Sequence, residues 1–428
     1  MNFSWMRVPI IALGPRGFIV ACVGGLVLML AFFNLINLIL PTSNDVTLYF
    51  NYARRTLGGE IPFLDFRLEY PPFALVFFIL PALLCYLFGG LDRDLYACLF
   101  HTQCFALEVA TLWISYRLLR KIYPLARPAI FTPRLVWYTL GGLAISLYLL
   151  QRFDIGATFL TSLGLYWLYN HKPGWGGVAL GLGAVTKLYP AIVLPFALLY
   201  FWHYRSDRRS TGRCLAGFSL AGVLTTVPFL LLNPEGFLAF LKYHIERGLE
   251  IETIFASLVA LGHYLNLAPA LAMNDHNSLG ITSHWSASLA TFSTLLMIGG
   301  LLVLIGVAWR ATQPGNHLRA DWLIQTTAIA ILWFILTNKV LSPQYLIWML
   351  SFVPFWKGNK QPLFLVALLI SLLPFPFLVD GLCLLDWLPM TLLALRNGLL
   401  IIILFQLIPA LELPKSSLKR AMRITQPA

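Results

Sequence analysis

Charge is what this chain has least of. Asp, Glu, Lys and Arg make up 11% of its 428 residues, against 59% hydrophobic, too little polar surface to cover a water-soluble domain. Polar linkers, low-complexity stretches and internal repeats are also missing, which leaves one domain over residues 1–428. Cysteine is sparse. The six stand at 22, 85, 98, 104, 214 and 383 without a C-x-x-C pair, so neither a disulfide framework nor a zinc site is expected, and they read as packing residues. The net charge of +12 falls in clusters between apolar runs. That is the distribution of cytoplasmic anchoring and not of a nucleic-acid surface.

What fills the chain is apolar sequence in runs that suit helices of about 20 residues, continuous and not alternating, so helical spans are expected and not a barrel. Candidate spans or hairpins lie at 17–40, 71–90, 95–116, 134–150, 155–170, 175–202, 214–232, 285–309, 320–337, 343–356, 362–379 and 388–411. The fold class is all-α and polytopic, with about eleven to thirteen membrane helices. The run Gly17–Leu40 follows Arg7 and Arg16, is too long for a signal-peptide core, and lacks a small-residue cleavage site before Pro41. It reads as the first span, its N-terminus inside.

Basic loops belong in the cytoplasm. They are the N-terminus, 117–134 (Arg117, Arg120, Lys121, Arg127, Arg134), 205–213, 310–319, 357–360 and the tail 415–428. Placing them inside puts the first loop 41–70 outside, with 151–154, 233–284, 338–342 and 380–387. Segments 71–90 and 175–202 must then start and finish on one side. Both carry helix breakers: Pro71, Pro72 and Pro81 in the first, Lys187-Leu188-Tyr189-Pro190 in the second. A half-inserted helix is expected for 71–90 and a re-entrant or short-helix hairpin for 175–202. Twelve simple crossings are the alternative, at the cost of exporting the basic 117–134 loop. Irregular backbone at membrane depth is tolerated only against protein or a wet cavity, so both breaks point toward a site.

Four polar islands share the outer face in this topology. They are the first loop (Asp45, Arg54, Arg55, Glu60, Asp65, Arg67, Glu69), Gln151-Arg152-Phe153-Asp154, HIERGLEIET at 244–253 and NKVLSPQY at 338–345, with Lys187 reaching the same face from its break. Cations on the side normally depleted of them need a reason beyond anchoring. Arginine as a planar fork and lysine as a point charge bind a lipid phosphate. A carboxylate beside them acts as general base toward a hydroxyl, which together describes transfer from a lipid phosphate to an alcohol.

Each candidate also has a plainer role. Asp45 reads as that base or as a helix N-cap. Asp65 and Glu69 read as site acids or as loop partners of Arg67 or Arg54, and Arg247 and Glu252 as donor-site residues or as charges of an interfacial helix. Lys187, within an apolar run, marks a pathway or a partner; for Lys339, at a span end, snorkelling competes with a phosphate contact. Asp154 pairs with Arg152 or faces the site. Glu108 reads as a buried interhelical hydrogen bond. The four islands hold no D-x-D motif and no His/Asp cluster with ligand spacing, so no metal and no cofactor is expected.

Asn44-Asp45, GEIPFLDFRLEYPP, GAVTKLYPAIVLP, RGLEIET and NKVLSPQYLIW form an ordered series over roughly residues 17–400. The series resembles the integral-membrane GT-C glycosyltransferases, and most closely the polyprenol-phosphate-mannose-dependent mannosyltransferases of glycosyltransferase family 87, the DUF2029 group. The resemblance implies a multi-pass enzyme of a bacterial plasma membrane, with half-inserted helices near its site. Such an enzyme moves a hexose, most often mannose, from a polyprenyl phosphate to a glycolipid or glycan acceptor on the extracytoplasmic face. By comparison with inverting glycosidases, the step is one inverting displacement. The implied catalytic aspartate falls on Asp45, and the implied substrate contacts on Arg247, Lys187, Lys339, Glu252, Asp65 and Glu69; Asp154, outside these motifs, joins them as a candidate from its own island. The partners are the sugar donor, the acceptor and membrane lipids, with no nucleic acid. A secondary transporter or lipid flippase would also carry broken helices and intramembrane charge, but with two related halves and a site at the midplane.

Overall fold

The computed structural model describes residues 44–127, 130–276 and 278–411, with scattered positions between 17 and 31. The expected first span falls for the most part outside the described residues, and the basic tail 415–428 wholly so. Helices are numbered from Asn44. They are α1 (Asn44–Leu57), α2 (Ala74–Leu87), α3 (Arg93–Ile122), α4 (Thr132–Ala144), α5 (Ser146–Gln151), α6 (Asp154–Tyr169), α7 (Pro173–Ala184), α8 (Val193–Leu199) and α9 (Arg208–Leu232). They continue as α10 (Pro234–Glu246), α11 (Ile254–Tyr264), α12 (Ser286–Ala311), α13 (Trp322–Thr337), α14 (Ile347–Leu350), α15 (Lys360–Ser371), α16 (Val379–Cys383) and α17 (Trp387–Leu407). Between α11 and α12, β1 (Leu271–Asp275) pairs antiparallel with β2 (Ser278–Thr282), Leu271 opposite Thr282 and Asp275 opposite Ser278. This hairpin is an addition to the all-helical expectation.

Among the described residues, five stretches are helical, long and apolar enough to cross a membrane: α3, α9, α12, Lys360–Phe377 and Trp387–Leu411. The windows of α9 and α12 are only 11% buried, so their leucines and valines face outward to lipid. The remaining apolar runs are shorter or broken. Run 134–150 is two helices, α4 and α5, meeting at Ile145. Run 343–356, expected as a span, is no single helix. It steps through a 3₁₀ turn at Pro343–Leu346, the four-residue α14 and a second 3₁₀ turn at Val353–Phe355. Leu346, Ile347, Trp348, Met349, Leu350 and Phe352 are all buried. Pro343 and Pro354 prevent a continuous hydrogen-bond ladder, and burial in protein makes the irregular backbone tolerable. Two of the cysteines, Cys98 and Cys383, are exposed and do not pack inside as expected.

Of the two segments singled out for their breakers, 175–202 is irregular as expected, whereas 71–90 holds one short helix that runs through Pro81 unbroken. Helix α2 has 14 residues, about 21 Å at 1.5 Å per residue, short of the roughly 30 Å hydrocarbon core. Run 175–202 divides into α7, an irregular stretch holding Lys187, a 3₁₀ turn at Tyr189–Ile192, and α8. The stretch is not left unpaired, because Phe73 N donates to Val185 O at 2.9 Å. The start of segment 71–90 is thereby stitched to the break around Lys187.

Helix α7 packs most closely on α9, and glycine makes this possible. A Cβ on Gly177 would lie 2.0 Å from Cys214 O, and one on Gly217 2.2 Å from Gly174 O. Such small-residue faces let membrane helices approach backbone to backbone. Gly177→Ala is therefore expected to force the helices apart at a cost of roughly 1–3 kcal/mol or more, seen as a lower thermal midpoint in detergent. Gly299→Ala, where a Cβ meets nothing within 4 Å, serves as the neutral control.

Candidate active site

Helix α1 is amphipathic, burying Val46, Tyr49, Tyr52 and Ala53 at helical spacing. Tyr49 stacks on Phe78 at 4.4 Å and meets Phe153 edge-on at 5.6 Å, and Tyr70 packs on Phe153 at 4.8 Å. This aromatic knot brings the first turn of α1 against the Arg152-Phe153 link between α5 and α6. There Asp45 forms an ion pair with Arg152 Nη1. Asp45 thus stands inside the first turn of the helix, not at the N-cap that the plainer reading gave it, and meets an arginine from a distant part of the chain.

Asp154 opens α6, where the helix dipole favours an acid. It does not pair with Arg152, the partner the first of its two readings gave it. Lys187 Nζ donates to Asp154 Oδ1 at 2.6 Å, and Trp348 Nε1 donates to the same oxygen at 2.8 Å. The ammonium also lies over the rings of Phe153, Tyr345 and Trp348 at 5.0, 5.5 and 5.6 Å. Trp348 is clamped between Tyr189 and Tyr345, each at 4.2 Å. Lys187 is costly at this depth, and the carboxylate with its aromatic cage offsets that cost.

Arg247 lies just past the end of α10. Its Nη2 donates to Ser278 Oγ at 2.7 Å and to Glu250 Oε1 at 3.2 Å. Lys339 Nζ donates to the carbonyls of Ile245 and Arg247, both at 2.6 Å, and its own carbonyl accepts from Glu250 N at 3.0 Å. Lysine here satisfies carbonyls that the helix end leaves orphaned, so Lys339 holds the backbone under Arg247 and does not snorkel. Burial and the Arg247 charge lower its pKa. Asp275, on the hairpin, accepts from Gly248 N at 2.6 Å and contacts His276, fixing the other side of the turn. Burial raises the Glu250 carboxyl to about 7 against the opposing pull of Arg247.

Glu69 links the two groups. Its half-buried carboxylate has no hydrogen bond from any described residue; burial raises its pKa, while Arg67 and Arg247 oppose the rise and Asp45 adds to it. Tyr345 lies within electrostatic range of Arg247, Glu250, Asp154 and Arg152. Asp45 and Arg247 both act on Glu69, and Asp154 and Asp45 on Lys187, so these charges lie within electrostatic range of their neighbours in the group.

Two expected site residues are committed elsewhere. Asp65 accepts from Ile61 N at 2.7 Å, and Arg55 donates to its carbonyl at 3.1 Å and pairs with Glu60; neither Arg54 nor Arg67 is its partner. Glu252 is buried, paired with the fully buried Arg396 at 2.5 Å, while Arg396 Nη2 and Asn397 Nδ2 donate to its carbonyl at 2.6 and 3.1 Å. Glu108 accepts from Tyr138 at 2.9 Å, the interhelical bond expected of it.

Sequence reasoning passed over several of these partners. Arg396 lies inside an apolar run and was detectable as an intramembrane charge. Asp92-Arg93-Asp94 is a D-x-D outside the four islands; Asp92 caps α3 by accepting from the Asp94 and Leu95 amides, and Arg93 donates to Thr47 at 2.6 Å. Ser278 carried no signal in the sequence, and Trp348 only that of closing the NKVLSPQYLIW motif. An open cleft lined by Lys172, Trp175 and Arg213 lies at the far end of α7 from Lys187.

The profile of glycosyltransferase family 87 matches residues 68–334. The chain belongs to this family. GPI mannosyltransferase 1 of Aspergillus oryzae is 24% identical over 329 residues, 75% of each chain. Two crystal structures of the Archaeoglobus fulgidus oligosaccharyltransferase, one tethered to an acceptor peptide and one apo, align at a TM-score of 0.43 with 12% and 11% identity. The alignments cover 95% of this chain and 57% and 58% of those, so the chain spans little more than half their length. This family 87 protein is a membrane glycosyltransferase.

The Glu252–Arg396 pair gives this glycosyltransferase a test of its scaffold. Glu252→Ala leaves a buried guanidinium uncompensated, at an expected cost of about 3–5 kcal/mol, and Glu252→Ala with Arg396→Met recovers most of it. Thermal unfolding in detergent checks both.

Proposed function

We propose that the protein transfers a hexose, mannose in the first instance, from a polyprenyl phosphate to a hydroxyl of a glycolipid or glycan at the extracytoplasmic face. Family membership and the mannosyltransferase name of the fungal relative support the sugar. One observation carries the chemistry: the Asp45 carboxylate, on an amphipathic helix beside the spans, meets Arg152 within a cluster that also holds Lys187 and Arg247.

The acceptor oxygen attacks the anomeric carbon as its bond to the phosphate oxygen breaks, with inversion. The hydroxyl proton passes to Asp45, and the electron pair leaves with the polyprenyl phosphate. Positive potential from Arg247 and Lys187 stabilises the charge growing on that phosphate. Lys339 acts through the backbone of Arg247, and Asp154 sets the position of Lys187. Glu69, beside Asp45 and without a hydrogen-bond partner among the described residues, faces the acceptor. Asp65 and Glu252 shape the loops that carry these groups.

Asp45→Asn keeps the size and still suits a helix start, but its amide cannot take the proton. Turnover at saturating donor is expected to fall at least about a hundredfold while the protein stays folded. Asp65→Asn should lose far less. Transfer of radiolabelled mannose from a short-chain polyprenyl phosphomannose measures both, and near-normal turnover by folded Asp45→Asn would remove it as the base.

The sidedness is tested separately. Leu125 is 99% exposed in the basic loop assigned to the cytoplasm, so Leu125→Cys in a cysteine-free background should resist an impermeant thiol reagent in intact cells and react once they are opened. Labelling in intact cells would restore the twelve-crossing topology.

A further inference from the structure

The two ion pairs beside Phe153 differ in how a ligand reaches them. Asp154 and Lys187 are enclosed, their side chains 1% and 16% exposed, and Trp348 adds its hydrogen bond to the carboxylate. Asp45 and Arg152 are more open, at 21% and 22%. Arg152 also has capacity to spare. Its Nη1 meets Asp45, while its Nε is buried with no hydrogen-bond partner among the described residues. The other cations considered for the donor are engaged: Arg247 by Glu250 and Ser278, Lys339 by two carbonyls and Lys187 by Asp154. A guanidinium with an unused donor and a displaceable carboxylate partner suits the oxygens of a phosphate.

We infer that Arg152 is a ligand of the donor phosphate and that Asp45 holds its place until the donor arrives. The phosphate replaces the Asp45 carboxylate on the guanidinium and releases that carboxylate to take the acceptor proton. The base is thus occupied when the donor site is empty and available when it is filled, which orders donor before acceptor. This inference rests on the polyprenyl-phosphate reading above and deepens it. It has a consequence that a structural ion pair lacks: the residue competing for Arg152 is Asp45, so removing the Asp45 charge improves phosphate binding.

The test is the binding of farnesyl phosphate, a prenyl phosphate without sugar, to the full-length protein in detergent by calorimetry. Four forms are compared: wild type, Asp45→Asn, Arg152→Gln and the double variant, each checked for folding by its thermal midpoint. Asp45→Asn should bind about two- to five-fold more tightly, the amount an open ion pair can withhold. Arg152→Gln should bind at least about tenfold more weakly. The double variant should match Arg152→Gln, because no gain remains without the arginine. Unchanged or weaker binding by folded Asp45→Asn, or a gain that persists in the double variant, overturns the inference. If Arg152→Gln does not fold, the Asp45→Asn arm decides alone. Binding by wild type without these shifts sinks only the inference, whereas no wild-type binding sinks the donor reading and the inference with it.

Discussion

Charge that enters this largely apolar molecule has to be paired, and the cluster around Phe153 is built around that constraint. An isolated ammonium or carboxylate in a low-dielectric setting costs several kcal/mol, recovered only with good geometry and further hydrogen bonds. Lys187 and Asp154 meet it with a 2.6 Å contact, a tryptophan donor and three rings around the ammonium. Asp45 and Arg152 meet it more loosely, at the margin of the same aromatic knot. The helix breaks follow from the same constraint, since Lys187 reaches Asp154 from the irregular stretch after α7.

Around this centre, charged side chains divide into those that hold backbone and those left facing the cluster. Lys339 spans the end of α10, Asp275 secures Gly248, Asp65 closes its own turn, and Arg396 anchors the Glu252 carbonyl and carboxylate from α17. Their partners are main-chain groups that a turn or a helix end leaves unsatisfied. Glu69, Lys187 and Arg247 stand on loops and breaks, and Asp45 on the first turn of α1. A glycosyltransferase needs such a division, because groups on irregular backbone stay aligned only if that backbone is held.

Much of this was legible in the chain. The shortage of charge and the continuous apolar runs announced a helical membrane protein; Pro190 marked a segment that breaks and Pro71-Pro72 the start of a short helix, while Pro81 sits inside that helix without breaking it. The ordered motifs identified family 87, whose profile covers residues 68–334. The run at 343–356 misled because a fully buried irregular ladder and a membrane helix share one hydropathy; only its prolines hinted otherwise. The hairpin was overlooked in a long loop with little alternation to reveal it.

Composition and apolar run length act locally, so the sequence alone determined the membrane class and the set of polar residues available to a site. Which acid meets which base was decided only by tertiary structure. Asp154 had Arg152 two residues away, yet its partner is Lys187, while Arg152 turns to Asp45 more than a hundred positions earlier. Pairing energy depends on distance and burial in three dimensions, and neither is written in residue order.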